Sequence, residues 1–298
     1  MTQKPVSATE SGQDSRTPLR SPWQVTKAVW YALILREIQT MFWSRRFGAF
    51  WVLAEPIFQI IVIMLIFTYI RDRLIPGVPF ALWLLVGMVP FFMMRSIIFG
   101  LMGSISANRA LFTYRQVRPF DTYVARTAVQ IMVNTGVFVI LAFGMVFFLE
   151  YPIPVHEPIQ MMLTLAVMVL FAFAFGVLLG LLVHTVPDVQ PVVRLLFFPL
   201  YLLSGVIFPL RMIPQPYYDW LLWNPFMHLI DMFRQFALAG YTPLEGVTLS
   251  YPAEVTLVDS GNLERRLSQA VNARLEQRYI HSGGFRKVCP EFETACHM

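Results

Sequence analysis

Five apolar blocks, each near or above the roughly 20 residues that a helix needs to cross a bilayer, govern what this chain can fold into. They run from about Trp51 to Ile70, Phe80 to Met102, Thr127 to Leu149, Ile159 to Val183 and Val192 to Leu210. Hydrocarbon offers no water to satisfy peptide groups, so such blocks must close their hydrogen bonds internally, as helices. Only 14% of the residues are charged and 56% are hydrophobic, where a soluble domain carries roughly 25% charge. The sequence therefore predicts an all-α integral membrane protein with five clear spans.

Short connections separate most of the blocks: Arg71–Pro79, Glu150–Pro158 and His184–Pro191. The longer one, Gly103–Arg126, is polar and basic. With the N-terminus inside, Lys4, Arg16, Arg20, Lys27, Arg36, Arg45, Arg46, Arg109, Arg115, Arg118, Arg126 and Arg194 fall on the cytoplasmic side. The opposite side receives Arg71, Arg73, Arg211 and Arg234. Positive residues favour the inner face, which predicts a cytoplasmic N-terminus and a multi-pass topology.

The flanking regions differ in character. Residues 1–22 are polar, lack an apolar signal core and read as a disordered cytoplasmic tail. Residues 23–47 are too charged to span and too periodic for a loop. They read as an amphipathic interface helix, with Trp23, Trp30 and Tyr31 at headgroup depth and basic groups toward lipid phosphates. Within it, Arg36 and Glu37 read either as an exposed ion pair or as part of a functional elbow with Arg46 and Glu55. Glu55-Pro56 opens the first span, with the proline in the tolerated first turn. The spanning domain extends over 48–258. Near its end, Asn224-Pro225 breaks the aromatic stretch Tyr217–Phe236 into two pieces too short to cross, a re-entrant arrangement. Val247–Val258 begins like a sixth span, but Glu254 interrupts it and Asp259, Glu264, Arg265 and Arg266 follow. Residues 259–298 form an atypical charged tail whose side of the membrane stays open. Its Cys289 and Cys296 read as incidental thiols, or as a small disulfide loop if the tail lies outside.

No Gly-x-x-x-x-Gly-Lys-Ser/Thr run occurs, so this chain has no phosphate-cradling loop of that kind, and ATP-driven work would need a separate ATPase. His156, His184, His228, His281 and His297 are scattered, giving no metal-ligand spacing and no catalytic cluster. Three regions carry the functional expectations. The block Asn108–Asp121, with Asn108, Arg109, Leu111, Phe112, Tyr114, Arg115, Pro119 and Asp121, reads as a short helix ended by Pro119. It either docks into a groove on a soluble partner or lies as a loop pinned to headgroups. Arg95, inside the second span, must face protein or water, either in an inter-helix pair or on the route of an anionic head. Trp223, Asn224, Pro225, Phe226 and His228 are the aromatic and polar candidates for a translocation path.

Leu35-Arg36-Glu37, the run Arg46-Phe47-Gly48-Ala49-Phe50-Trp51-Val52-Leu53-Ala54-Glu55-Pro56, the Asn108…Pro119-Phe120-Asp121 block and Asn224-Pro225-Phe226-Met227-His228…Asp231…Arg234 follow one another in order. Together they resemble the ABC-2-type permeases of the capsular polysaccharide export family, over about residues 23–250. The resemblance implies a type V exporter-like transmembrane domain. It implies a homodimeric permease paired with two copies of a separate ATPase, which binds the ATP and Mg; this chain then holds no cofactor. The implied cargo is lipid-linked polysaccharide, leaving the cytoplasmic membrane of a Gram-negative cell toward periplasmic and outer-membrane export proteins. Asn108–Asp121 would carry the coupling helix. The family ends in a sixth span and a short basic tail, from which 259–298 departs. Exporters of other lipid-linked glycans, lipids or drugs share the architecture, and a membrane glycosyl- or acyltransferase is the alternative from another class. Nucleic acid is not an expected partner.

Overall fold

The computed structural model describes residues 22–43, 48–70, 78–108, 119–150, 156–209 and 220–258. Among these residues the regular structure is helical: α1 (Pro22–Trp43), α2 (Gly48–Ile70), α3 (Phe80–Met102), α4 (Ser104–Ala107), α5 (Pro119–Leu149), α6 (Pro158–Thr185), α7 (Val189–Leu203) and α8 (Pro225–Ala237).

The bundle is organised around α3. Its sequence is apolar on every side, and a helix of that kind is stable only when neighbours cover it all round. Accordingly it is buried from Phe80 to Met102 along almost its whole length, with α2, α5, α6, α7 and α8 packed against it. The tightest approach is to α6. A Cβ added at Gly176 would lie 2.9 Å from Leu101 Cδ1 and 3.1 Å from Ile98 Cα, and one at Gly180 would lie 3.0 Å from the Leu101 carbonyl oxygen. Two glycines four residues apart thus let the helix backbones touch, the small-residue solution to packing without a hydrophobic driving force.

Contacts along α3 also fix directions. Its N-terminal half meets α8 through Trp83 and Gly87, whereas its C-terminal end meets α5 and α6 through Gly100 and Leu101. α6 starts at the α8 end, where the Glu157 amide donates to the Phe236 carbonyl, and finishes beside Leu101. α7 passes Phe99 at Arg194 and Phe197, the latter at 4.8 Å, and ends beside α8. α3, α5, α6 and α7 therefore alternate in direction.

Three helices, α3, α5 and α6, are long and apolar enough over their described residues to cross a membrane. The first expected span forms α2, whose apolar stretch Phe50–Ile66 is shorter, and the fifth stops early. Expected over Val192–Leu210, the fifth helix is α7 and ends at Leu203 after 15 residues, about 22 Å at 1.5 Å per residue. There the Ser204 amide and hydroxyl both turn back to the Leu200 carbonyl, and Gly205 takes φ 68°, a left-handed conformation that suits glycine.

Pro119 begins α5, where its missing N–H is harmless in a first turn; the short helix expected before it falls on 109–118, outside the described residues. The third span consequently starts at Pro119, not Thr127. Pro56 lies inside α2 instead of opening it, since the apolar residues from Gly48 onward extend the helix upstream. At the C-terminal side a helical run begins at residue 250 and reaches 258, so Glu254 breaks the apolar pattern but not the helix. Of the expected tail 1–22 only Pro22, the first residue of α1, is described; the tail 259–298 lies outside the described residues, as do Arg46 and residues 109–118, which hold Arg109, Leu111, Phe112, Tyr114 and Arg115.

Candidate functional site

Polar side chains gather at the two ends of α3. At the first end, α1 lies across the starts and stops of the spans. Its Leu33 is buried, and Trp30, Leu33 and Glu37, spaced at three and four residues, share the face turned toward α5. Trp30 Nε1–H donates to Asp121 Oδ1 (2.8 Å) in the first turn of α5. Arg36 Nη1 donates to Asn108 Oδ1 (3.0 Å), and Asn108 Nδ2 donates in turn to the Ser104 carbonyl (3.0 Å). Glu37 Oε1 lies 2.8 Å from Arg126 Nε, and Arg126 Nη1 donates to the Gly100 carbonyl of α3 (2.7 Å).

Arg36 and Glu37 are therefore not an exposed pair with one another. The helix sends them to different partners, because adjacent positions on a helix point about 100° apart. Nor do Trp30 and Arg36 face headgroups: both are spent on protein groups, while Trp23 and Tyr31 stay exposed and Lys27 lies over the Trp23 ring at 5.2 Å. The Glu37–Arg126 pair is mostly screened from solvent, so it gains more than a surface pair without bearing the full desolvation of a core one. The structure thus joins Asn108 of the candidate coupling block to Arg36 of the candidate elbow, while Asp121 is held by Trp30 and Glu37 pairs with Arg126. Glu55 stands apart, exposed on α2. Trp30 and Arg126 were not among the sequence candidates for this site. Their signal lay in the same face of α1 and in a lone arginine about two turns inside an apolar helix.

At the other end, α8 plugs the bundle. Asn224 is its N-cap: Oδ1 accepts from the Phe226 amide (3.0 Å), and Nδ2 donates to Ser204 Oγ (3.1 Å), tying the cap to the end of α7. Pro225 takes the first helical position. Phe226 is buried among Phe91, Phe171, Phe175 and Phe197, with ring centroids 5.0–6.1 Å away. His228 is also buried; its Nδ1 accepts from the Thr248 amide (3.1 Å), so the proton sits on Nε2, which donates to the Leu222 carbonyl (2.9 Å). Trp223 is exposed. Of the residues expected along a path, then, Asn224, Phe226 and His228 hold the plug in place, and Trp223 projects outward.

The plug carries two buried charges that belong to it by sequence. Asp231 accepts from the Tyr241 hydroxyl and the Leu244 amide (2.9 Å). Arg234, 1% exposed, donates to the carbonyls of Gly205 (2.7 Å) and Val206 (2.8 Å), and its guanidinium lies 3.6 Å from the centroid of Trp83. Those carbonyls have left the α7 hydrogen-bond ladder, and Arg234 satisfies them. Gly87 makes room for it: an added Cβ would sit 2.0 Å from Arg234 Nη2. Between the two ends, Arg95 rests over Phe92 at 4.5 Å, a ring that also stacks on Tyr201. That position is half-buried, beside α7.

Apolar helices of spanning length, tied at both ends by polar joints, define a polytopic helical membrane protein. More narrowly, residues 28–238 match the family model of the ABC-2 type transporter, and the chain belongs to that family. It is similar to the polysialic acid transport protein KpsM of Escherichia coli, 36% identical over 239 residues, which is 80% of this chain and 92% of the relative. It is also similar to the capsule polysaccharide export inner-membrane protein CtrC of Neisseria meningitidis (29% over 217 residues, 73% and 80%) and to BexB of Haemophilus influenzae (26% over 219 residues, 74% and 82%). The protein is accordingly a transport permease rather than an enzyme, in a family whose ATPase is a separate subunit.

Proposed function

We propose that this chain is the membrane permease of an ATP-driven exporter of capsular polysaccharide, carried as a lipid-linked chain across the bacterial inner membrane. The observation that carries the reading is its likeness, over 80% of its length, to a polysialic acid transport protein. Two copies form the passage, the N-terminus lies in the cytoplasm, and periplasmic and outer-membrane proteins receive the product. The chain holds no cofactor; ATP and Mg are bound by the partner ATPase.

Residues 109–118 join α4 to α5 at the end where the arginines Arg36, Arg126 and Arg194 gather, and this face docks the ATPase. Leu111, Phe112 and Tyr114 fill the partner's groove, while Asn108, Pro119 and Asp121 fix where the segment leaves and rejoins the bundle. Arg95 lies on the route of the anionic end of the substrate, and α8 with Trp223 forms the outer closure. Substituting Leu111→Asp and Phe112→Asp tests the reading. Capsule should accumulate inside the cell while the ATPase keeps its own hydrolysis. Normal surface capsule in that double variant would remove the docking role, and accumulation of drug rather than polysaccharide in a deletion strain would remove the cargo.

A further inference from the structure

Inside the bundle, Arg95 is a cation without an acceptor. It stands seven residues before Met102, the end of α3, about 10 Å along the helix. Its guanidinium rests over the Phe92 ring, but among the described residues it has no hydrogen bond and no ion pair. Tyr201 of α7 stacks on the same ring, with centroids 5.6 Å apart, and its buried hydroxyl also lacks a partner among the described residues. Glu55 of α2 stands within electrostatic reach of the guanidinium. It lies seven residues after Gly48, the start of α2, again about 10 Å along a spanning helix. The carboxylate is exposed, and no hydrogen bond or ion pair holds it among the described residues. Pro56, the next residue, has no N–H to offer the Val52 carbonyl, so the turn that carries Glu55 lacks a bond of the helix ladder.

We propose that Glu55 is a movable counter-ion: it neutralises Arg95 when no substrate is bound, and yields the guanidinium and the Tyr201 hydroxyl to an anionic oxygen of the cargo. This rests on the reading that Arg95 lies on the route of the substrate's anionic end. A guanidinium keeps its charge in any surroundings, and a charge within a span must meet a partner. Exchanging one anion for another keeps the region neutral throughout. The competition also lets cargo leave as well as enter, which a site along a passage requires. The phosphate of a lipid anchor and the carboxylate of an acidic sugar present the same chemistry to this pair of donors.

The test uses the complete permease–ATPase complex in inside-out vesicles, with a lipid-linked acidic polysaccharide added at rising concentration. It reads half-saturation, maximal export per folded complex and ATP hydrolysis. Arg95→Gln should raise half-saturation about tenfold, the loss of one charge-assisted hydrogen bond. Glu55→Gln should lower half-saturation and maximal export about fivefold each, because cargo then binds an uncontested cation and leaves slowly. Arg95→Lys keeps a charge for Glu55 to contest and should preserve the Glu55→Gln effect, whereas Arg95→Gln should abolish it. Wild-type values in Glu55→Gln overturn the proposal, as does an equal Glu55→Gln effect with and without the arginine. If Arg95→Gln exports like the wild type, the anionic route fails and the counter-ion with it. If Arg95→Gln weakens binding while Glu55→Gln changes nothing, only the counter-ion is wrong. Esterifying the sugar carboxylates separates the two sources: a Glu55→Gln effect that survives assigns the anion to the lipid phosphate, and one that disappears assigns it to the sugars.

Discussion

Replacing Gly87 by alanine should unseat Arg234 from the end of α7. The new methyl carbon would sit 2.0 Å from Nη2, 2.7 Å from Cζ and 3.0 Å from Nε, so the guanidinium must leave its seat. A flexible side chain in open space would yield cheaply, but Arg234 is 1% exposed and holds two carbonyls outside any helix. Charge-assisted hydrogen bonds of this kind are worth about 1.5–3 kcal/mol each, and a desolvated cation–π contact such as that with Trp83 about 2 kcal/mol. Partial retention makes the sum an upper limit, so a loss of about 3–5 kcal/mol is expected, large against a typical stability of about 5–15 kcal/mol. Thermal unfolding in detergent, followed by size exclusion, measures it. Gly136→Ala is the internal reference, because nothing lies within 4 Å of a Cβ there and alanine favours the helix by up to about 1 kcal/mol. The pair Gly87→Ala with Arg234→Met should be far from additive, since the clash vanishes with the guanidinium. Equal stability of the Gly87→Ala and Gly136→Ala proteins would refute the reasoning.

Gly180→Leu should separate α6 from α3 and reduce folded protein several-fold in membranes, read by protease resistance, because the Leu101 carbonyl oxygen lies 3.0 Å from the added Cβ. Tyr241→Phe removes a hydroxyl that donates to the buried Asp231 and should lower stability by about 1–3 kcal/mol in the same unfolding assay. Asn224→Ala deletes both the α8 cap and the link to Ser204; a loss of about 1–2 kcal/mol is expected, with Asn224→Asp recovering the cap but not the link.

The helical class and the approximate positions of α2, α3, α5 and α6 were legible because long apolar runs leave the backbone no alternative in hydrocarbon. The early stop of α7 was not. Phe208 and Leu210 keep the sequence apolar past Leu203, and what ends the helix is a serine, a glycine and an arginine from 29 positions downstream. Hydropathy counts Arg234 as a loop charge, whereas geometry makes it the most buried cation described. The break at Asn224-Pro225 was readable from local chemistry alone, a capping side chain followed by proline. That α1 is a helix too charged to span was readable, but its partners were not. Periodicity shows which residues share a face, and only tertiary packing shows that Trp30 meets Asp121, 91 positions away.

Why polar residues collect at the ends of α3 follows from the medium. A charge in hydrocarbon is expensive unless a partner meets it, so a spanning core can hold irregular backbone only where a charged or amide side chain repairs it. Arg234 repairs the end of α7 in that way, and Arg126 reaches the Gly100 carbonyl where α3 is about to give way to α4. These two places stand thirteen positions apart on α3, about 20 Å along a helix buried on all sides. A displacement at one end therefore has a stiff route to the other, through close-packed side chains that cannot absorb it piecemeal. The same geometry means that a change at either joint also bears on the packing around it. Transport measured on these variants is interpretable only per folded molecule, which is why abundance must stand beside every export rate.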